Sequence, residues 1–213
     1  MAKEAPIDLW AYERAVAAEG YSLVCGVDEA GRGPLAGPVC AAAVLLPLGL
    51  DIEGLNDSKK LSPKRREALY SVIVENARTY GIAFASVAEI DALDILGATI
   101  LAMSRAIEKL SPQPALALID GNWDRGIPFS TRTRRHGDAE CASIAAASIL
   151  AKVTRDRLMV ELDERYPEYG FAAHKGYGTR AHEAALKKYG PCEIHRHSFM
   201  KKYFSEDGKW IRN

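Results

Sequence analysis

From Ala139 to Tyr166 the chain carries neither proline nor glycine and is rich in alanine. Such a stretch is a long helix, because alanine has the highest helix propensity and nothing inside it breaks the hydrogen-bond ladder. Small side chains along its buried stripe let the helix lie close to a flat surface, so the partner it demands is a sheet. The rest of the chain supplies one. Ser22–Asp28 (SLVCGVD), Pro38–Leu46, Tyr80–Ala88 and Ala115–Asp120 are short apolar runs bounded by turn residues, the pattern of buried strands. The first two are close enough in sequence to form an antiparallel pair.

Helices fill the intervals. Asp8 caps a short amphipathic helix that stops at Gly20, and Ser62-Pro63 is an N-cap followed by an N1 proline. The helix after Pro63 places Leu69, Val72, Ile73 and Asn76 on one face and ends near Gly81; Glu89–Leu110 sets Leu93, Leu96, Ile100, Ile107 and Leu110 at helical spacing. A Gly/Pro loop follows Asp120, Gly170–Thr179 is glycine-rich, and Thr179 caps a further helix that stops at Gly190-Pro191. Strands lead, helices follow and the two alternate in the middle, which gives an α/β fold with a mixed sheet and a helical C-terminal part. The expected organisation is an N-terminal helical extension over 1–20 and one domain over 21–213, helical from about residue 167.

A chain of 213 residues, 48% hydrophobic and 26% charged, buries a core without staples and is neither disordered nor collagenous. It has no apolar run of membrane-spanning length, and MAKEAPIDLW lacks a signal core, so the expected compartment is the cytosol. Cys25, Cys40, Cys141 and Cys192 form no CxxC pair, so neither a zinc cage nor a thioredoxin motif is signalled. Lys+Arg and Asp+Glu both number 28, yet basic residues concentrate in Lys59–Arg66, in Arg132–His136 and after residue 171. Local concentration of this kind suits a nucleic-acid binder, and solvated faces are the alternative.

Two apolar strands end in carboxylates, Asp28-Glu29 and Asp120, and Asp138 falls just before the long helix. Carboxylates gathered at the C-terminal edge of a sheet repel one another unless cations neutralise them, and hard oxygen donors favour Mg²⁺ or Mn²⁺ over zinc. Asp138 as a plain helix N-cap and Asp120-Gly121-Asn122 as a plain turn are the simpler alternatives. Gly31–Gly37 (GRGPLAG) has the wrong spacing for a dinucleotide fingerprint, and its prolines deny the helix such a loop must open. A Gly-Arg-Gly turn instead exposes backbone N–H groups to a ligand, or is only a tight turn between paired strands.

VCGVDEAGRGPLAGPV, LNDSKKLSPKRRE, ALIDGN, GDAECASIAAASILAKVTRD and HKGYGT, in this order, resemble the type 2 ribonuclease H family on its bacterial ribonuclease HII branch, over roughly Ser22 to Phe199. Arginine in the middle of the GRG turn and a short N-terminus set it apart from ribonuclease HIII. The resemblance implies a ribonuclease H-like mixed sheet flanked by helices. It implies hydrolysis of the RNA strand of RNA–DNA hybrids, and cleavage 5′ of single ribonucleotides in duplex DNA, leaving 3′-hydroxyl and 5′-phosphate ends. Asp28, Glu29, Asp120 and Asp138 match the acids that hold two divalent ions, Mn²⁺ or Mg²⁺, in that family. Gly31, Arg32 and Gly33 match the turn that reads the ribose 2′-hydroxyl, Tyr177 the tyrosine at the RNA–DNA junction, and Lys59 a phosphate contact. The implied partner is a hybrid, or a DNA duplex containing ribonucleotides, bound by a monomer away from membranes. A metal-dependent phosphatase or nuclease acting on DNA alone, and a non-catalytic hybrid binder, are the competing classes.

Other conspicuous residues read as bland. His174 and His182 are expected at the surface or as caps, and His195-Arg196-His197 as a solvated basic turn or a phosphate lining. Trp123 is expected to be a local packing residue. Relatives commonly carry a basic residue two positions after the fourth acid and lysine two before it, where this chain has Glu140 and His136.

Overall fold

The structure, a computed structural model, describes residues 8–212, so the first seven positions of the expected N-terminal extension lie outside the described residues. Five strands form one sheet in the order β3-β2-β1-β4-β5: β1 Val24–Ala30, β2 Val39–Leu45, β3 Thr79–Ala85, β4 Leu116–Asp120 and β5 Thr131–Arg134. β1, β2 and β3 make an antiparallel meander, while β4 pairs in parallel with the other side of β1, and β5 in parallel with β4. The sheet is mixed, as expected, and β1 lies at its centre.

The four apolar strands appear within a few residues of their expected bounds. β5 is an addition. Its residues, TRTR, carry no apolar alternation and read as loop and basic cluster; they become a strand only because their backbone pairs with β4, from Ala117↔Thr131 to Asp120↔Arg134. A polar, charged strand is how a sheet commonly finishes at its edge.

Helices cover both faces. α5, Ala142–Arg165, and α2, Pro63–Asn76, lie against Cys40, Ala42 and Val44; α3, Val87–Glu108, lies against Val27, Ala41, Ala43 and Ala85. β2 is buried at every position, which requires an apolar residue on both faces. The close seating expected of the alanine-rich helix occurs on β1, where a Cβ on Gly26 would fall on the backbone of Ser143 and Ile144.

Several boundaries differ from the sequence expectation. α1 spans Ala11–Ala18 with Trp10, not Asp8, at its N-cap, and Asp8 accepts from the Trp10 amide instead. α2 turns Leu69 and Ile73 inward but leaves Val72 and Asn76 outside the core. α3 opens two residues early, on a Ser86/Glu89 capping box, and breaks at Asp94, whose φ of 62° is left-handed. Asp94 Oδ1 accepts from the Leu96 and Gly97 amides and so caps the second segment. The break rotates Leu93 out of the stripe, where it is exposed.

The long helix is also two. α4, Gly137–Glu140, is separated from α5 by Cys141 in an extended conformation. The C-terminal part is helical as expected. α6 Phe171–His174, α7 Arg180–Tyr189 and α8 His197–Met200 surround a cluster of Tyr169, Phe171, Leu186, Met200 and Tyr203. Thr179 caps α7 and Gly190 ends it. Among the described residues no helix is long and apolar enough to cross a membrane.

Candidate active site

The pairing of β1 with β4 decides where the first two acids fall. The strands run parallel with Val27 opposite Ile119, so Asp28 and Asp120 emerge side by side at the strands' C-terminal ends. Asp138 arrives from beyond β5: the Gly137 amide donates to Asp120 Oδ1 at 2.8 Å and docks α4 against β4. Carboxylate oxygens of Asp28, Asp120 and Asp138 all lie within 4.8 Å of one another. Asp138 is therefore not the N-cap of the long helix. α4 is capped by His136 in a left-handed conformation, and the α5 amide of Ser143 is met by the buried Glu13 of α1, at 3.0 Å.

Burial, and then the charges of Glu29 and Asp120, push the Asp28 carboxyl well above the usual carboxylate range. Asp120 is raised by burial and then by Asp138; Glu29 is raised by burial, with Arg32 pulling the other way. Lys59 Nζ donates to Asp138 Oδ2 at 3.2 Å. Burial works against that ammonium, but Asp138 and Asp28 outweigh it and raise its pKa. The cluster is thus rich in hard oxygen donors and poor in compensating charge, which fits divalent cations. Ser148 on α5 lies near the Asp28 carboxyl, where it favours the charged form, and its hydroxyl is 2.7 Å from Ser58 Oγ, beside Lys59.

Glu29 stands outside the three-acid cluster. Its Oε1 accepts from Arg32 at 3.3 Å, and with Asp120 it borders a groove of about 170 Å³ walled by Arg32, Thr99, Asn122 and Trp123. Trp123 is 44% exposed on this groove, with the Arg125 guanidinium 5.5 Å from its ring, so it is not a packing residue. The GRG turn follows Glu29 directly. Gly31 has a φ of 98°, which a side chain tolerates poorly. A Cβ on Gly33 would sit 3.5 Å from the exposed Tyr177 ring, and the Leu35 amide donates to the Gly176 carbonyl at 2.8 Å. Turn and tyrosine form one surface beside the acids.

The histidines are not bland. His182 and His195 are fully buried, and His174 stacks on His182 with 4.4 Å between centroids. The Cys192 amide donates to His195 Nδ1 at 2.9 Å, which leaves the His195 proton on Nε2. That proton is donated to His182 Nε2 at 3.0 Å, and His182 Nδ1 donates to the Tyr177 carbonyl at 3.0 Å. Burial brings both pKa values down to about 4, with His182 adding to the effect on His195. The unfolded chain takes up these protons below about pH 6.5. The pair's stabilisation is therefore complete above that pH and is lost as pH falls towards 4. Between pH 7 and 5 the wild type should lose melting temperature relative to His182→Gln, by about 2–4 °C for each kcal/mol of linkage. Parallel pH profiles would show that the pair does not titrate this way.

The basic clusters are partly neutralised. Arg132 pairs with Glu19, Arg134 with Glu140, and Arg66 donates to the Ser58 and Leu61 carbonyls. Glu140 closes α4 rather than opening the long helix, and its charge is met by Arg134. Sequence reasoning missed Arg155 and Arg196, both buried beneath the GRG turn. An arginine inside an otherwise apolar stripe was the available signal for Arg155; Arg196 is hidden in a run that reads as basic and solvated.

The sequence profile described as Ribonuclease HII matches residues 25–202. Ribonuclease HII of Burkholderia vietnamiensis is 61% identical over 177 residues, 83% of this chain and 82% of that protein. Ribonuclease HII of Syntrophotalea carbinolica is 53% identical over 188 residues, 88% of this chain and 90% of its own length. Among solved structures, ribonuclease H2 from Pyrococcus horikoshii superposes with a TM-score of 0.68 at 29% identity, covering 83% of this chain and 93% of that one.

Proposed function

Because the chain belongs to the ribonuclease HII family and is an endonuclease of RNA–DNA hybrids, we propose that it also cuts 5′ of single ribonucleotides embedded in duplex DNA, with Asp28, Glu29, Asp120 and Asp138 as its catalytic acids. The observation that carries this reading is the convergence of Asp28, Asp120 and Asp138 within 4.8 Å, beside an amide-bearing turn and an exposed tyrosine. The donor set suits Mn²⁺ or Mg²⁺, and two such ions would stabilise the attacking and leaving oxygens of a phosphoryl displacement. Asp28 and Asp120 hold the cation site from the sheet, Asp138 completes it from α4, and Glu29 extends it towards the groove. Lys59 meets a phosphate oxygen next to Asp138. Water adds to phosphorus as the bond to the 3′-oxygen breaks, so the products end in 3′-hydroxyl and 5′-phosphate. The Gly31–Gly33 turn meets the ribose 2′-hydroxyl, the group that separates RNA from DNA. The catalytic domain is residues 21–213, with the helix of the 1–20 extension capping α5 through Glu13, and the protein acts as a cytoplasmic monomer.

Three duplexes test this: an RNA–DNA hybrid, a DNA duplex with one ribonucleotide, and the same duplex in all-DNA form, each with and without Mg²⁺ or Mn²⁺. Cleavage of the first two only, and only with metal, is the expected result. Cutting of all-DNA duplex, or cutting in chelator, would overturn the reading.

Tyr177→Ala should remove an aromatic contact worth about 1–3 kcal/mol, roughly a ten- to hundredfold fall in cleavage at a single embedded ribonucleotide. Affinity for plain DNA duplex should change far less. Equal losses on the two measurements would make Tyr177 a general contact.

A further inference from the structure

Two arginines lie beneath the proposed ribose-reading turn, and among the described residues neither has a carboxylate partner. Arg196 and Arg155 are 0% and 1% exposed. Burying a guanidinium without a counter-charge is costly, and both could be replaced by an apolar side chain if packing alone were needed. All their side-chain hydrogen bonds go to backbone carbonyls. Arg196 Nη2 donates to Gly31 at 2.6 Å, Nη1 to Arg32 at 2.9 Å and Nε to Gly37 at 2.9 Å. Arg155 Nε donates to Pro38 at 2.9 Å, Nη2 to Ala36 at 3.1 Å and Nη1 to Lys175 at 3.0 Å.

A trans peptide plane carries its C=O and the next residue's N–H on opposite sides. Drawing the Gly31 carbonyl inward turns the Arg32 amide outward, and drawing the Arg32 carbonyl inward turns the Gly33 amide outward. Among the described residues neither of these two amides donates to a protein acceptor. Gly31 rests directly on the Arg155 side chain, where a Cβ would collide with the guanidinium. Arg155 in turn ties the turn's far end to Lys175, two residues before Tyr177. Burial, and then the neighbouring charge of Arg155, lower the pKa of Arg196 to about 9, so its donors are all present at neutral pH.

We propose that Arg196 is a positioning residue for ribose recognition, its planar fork fixing two peptide planes so that the Arg32 and Gly33 amides face the substrate's 2′-hydroxyl. The inference rests on the reading that the Gly31–Gly33 turn meets the ribose. Its test is binding without catalysis, in chelator: the affinity for a duplex with one ribonucleotide against the same all-DNA duplex. The wild type should prefer the ribonucleotide. Arg196→Lys keeps the charge but cannot hold three carbonyls in one plane. It should lower that preference about tenfold, the equivalent of one hydrogen bond, with all-DNA affinity unchanged. A preference retained in Arg196→Lys overturns the role of Arg196. A wild type without preference overturns the reading of the turn itself, so the two failures are distinct. Should Arg196→Lys fail to fold, nitrogen-15 spectra of the wild type decide. Separate, slowly exchanging Arg196 guanidinium protons, and Arg32 and Gly33 amides protected only by the ribonucleotide duplex, are expected. Averaged guanidinium signals would overturn the proposal.

Discussion

Asp28→Asn should abolish hybrid cleavage, by about a hundred- to a thousandfold or more, and at the same time raise the melting temperature of the metal-free protein. Loss of activity follows from removing a hard anionic ligand from the centre of the proposed cation site. The gain in stability follows from the charge it removes. Asp28 is buried, and its pKa is raised by that burial and by Glu29 and Asp120. A carboxyl whose folded pKa lies above its unfolded value costs stability once pH exceeds the unfolded value near 4. The cost shrinks as pH falls through the raised folded-state value, where the folded carboxyl takes up its proton first, and vanishes only below the unfolded value near 4, where both states are protonated. Asparagine removes the charge, and its carbonyl oxygen can still accept the Glu29 amide, which Asp28 Oδ1 holds at 2.7 Å. Melting curves in chelator should therefore place the variant above the wild type at pH 7 and converge with it at lower pH. Adding Mn²⁺ should stabilise the wild type, because a ligand that binds only the folded state shifts the equilibrium, and should stabilise the variant less. A variant that is active, or less stable than wild type in chelator, would mean that Asp28 is not a strained ligand of this site.

Asp28 and Asp120 were legible because a buried strand announces itself by composition, and an acid that closes its apolar run falls towards the C-terminal edge of the sheet. Asp138 and the Gly-Arg-Gly turn were legible as candidates beside simpler alternatives, and the resemblance to ribonuclease HII gave them roles and added Tyr177 and Lys59. How Asp138 joins the others was not legible. The break at Cys141 has no proline or glycine to mark it, and depends on the Gly137 amide reaching Asp120 across 17 positions of chain. β5 was hidden for a related reason, since its strand character lies in backbone pairing and not in side-chain alternation. The buried arginines and histidines were the largest omission. A charged or polar residue is buried only when distant backbone groups satisfy it, and Arg196 finds its carbonyls more than 150 positions away, at Gly31, Arg32 and Gly37. No local period records such a contact. His195–His197 read as a solvated basic turn or a phosphate lining, although Arg196 lies buried beneath the Gly31–Gly33 turn.

Gly26→Ala should severely impair folding, although it adds one methyl group. Gly26 lies on β1 at the sheet's centre, paired with Val44 on one side and Leu118 on the other. A Cβ there would meet the Ile144 amide nitrogen and the Ser143 carbonyl group, and backbone atoms cannot turn aside as a side chain can. Either α5 lifts from the sheet or β1 bows, and each opens the contact between the alanine-rich stripe and the strands. Overpacking in a rigid core costs about 1–3 kcal/mol and occasionally more; with no flexible neighbour to yield, about 3 kcal/mol or more is expected here. That is a large share of the roughly 5–15 kcal/mol that holds a domain folded. Gly49→Ala is the comparison: its φ of 82° imposes backbone strain of about 1–2 kcal/mol, but nothing lies within 4 Å of the new methyl. Urea unfolding should rank Gly26→Ala well below Gly49→Ala. The folded fraction should also be impaired, because Asp28 lies two residues along the same face of β1 and Ser148 one helical turn beyond Ile144. Displacing α5 draws the Ser148 hydroxyl from Asp28, so activity per folded molecule should fall for Gly26→Ala and hold for Gly49→Ala. If Gly26→Ala instead unfolds no more readily than Gly49→Ala, α5 does not seat on β1 as closely as Gly26 allows, and Ser148 loses its place in the support of Asp28.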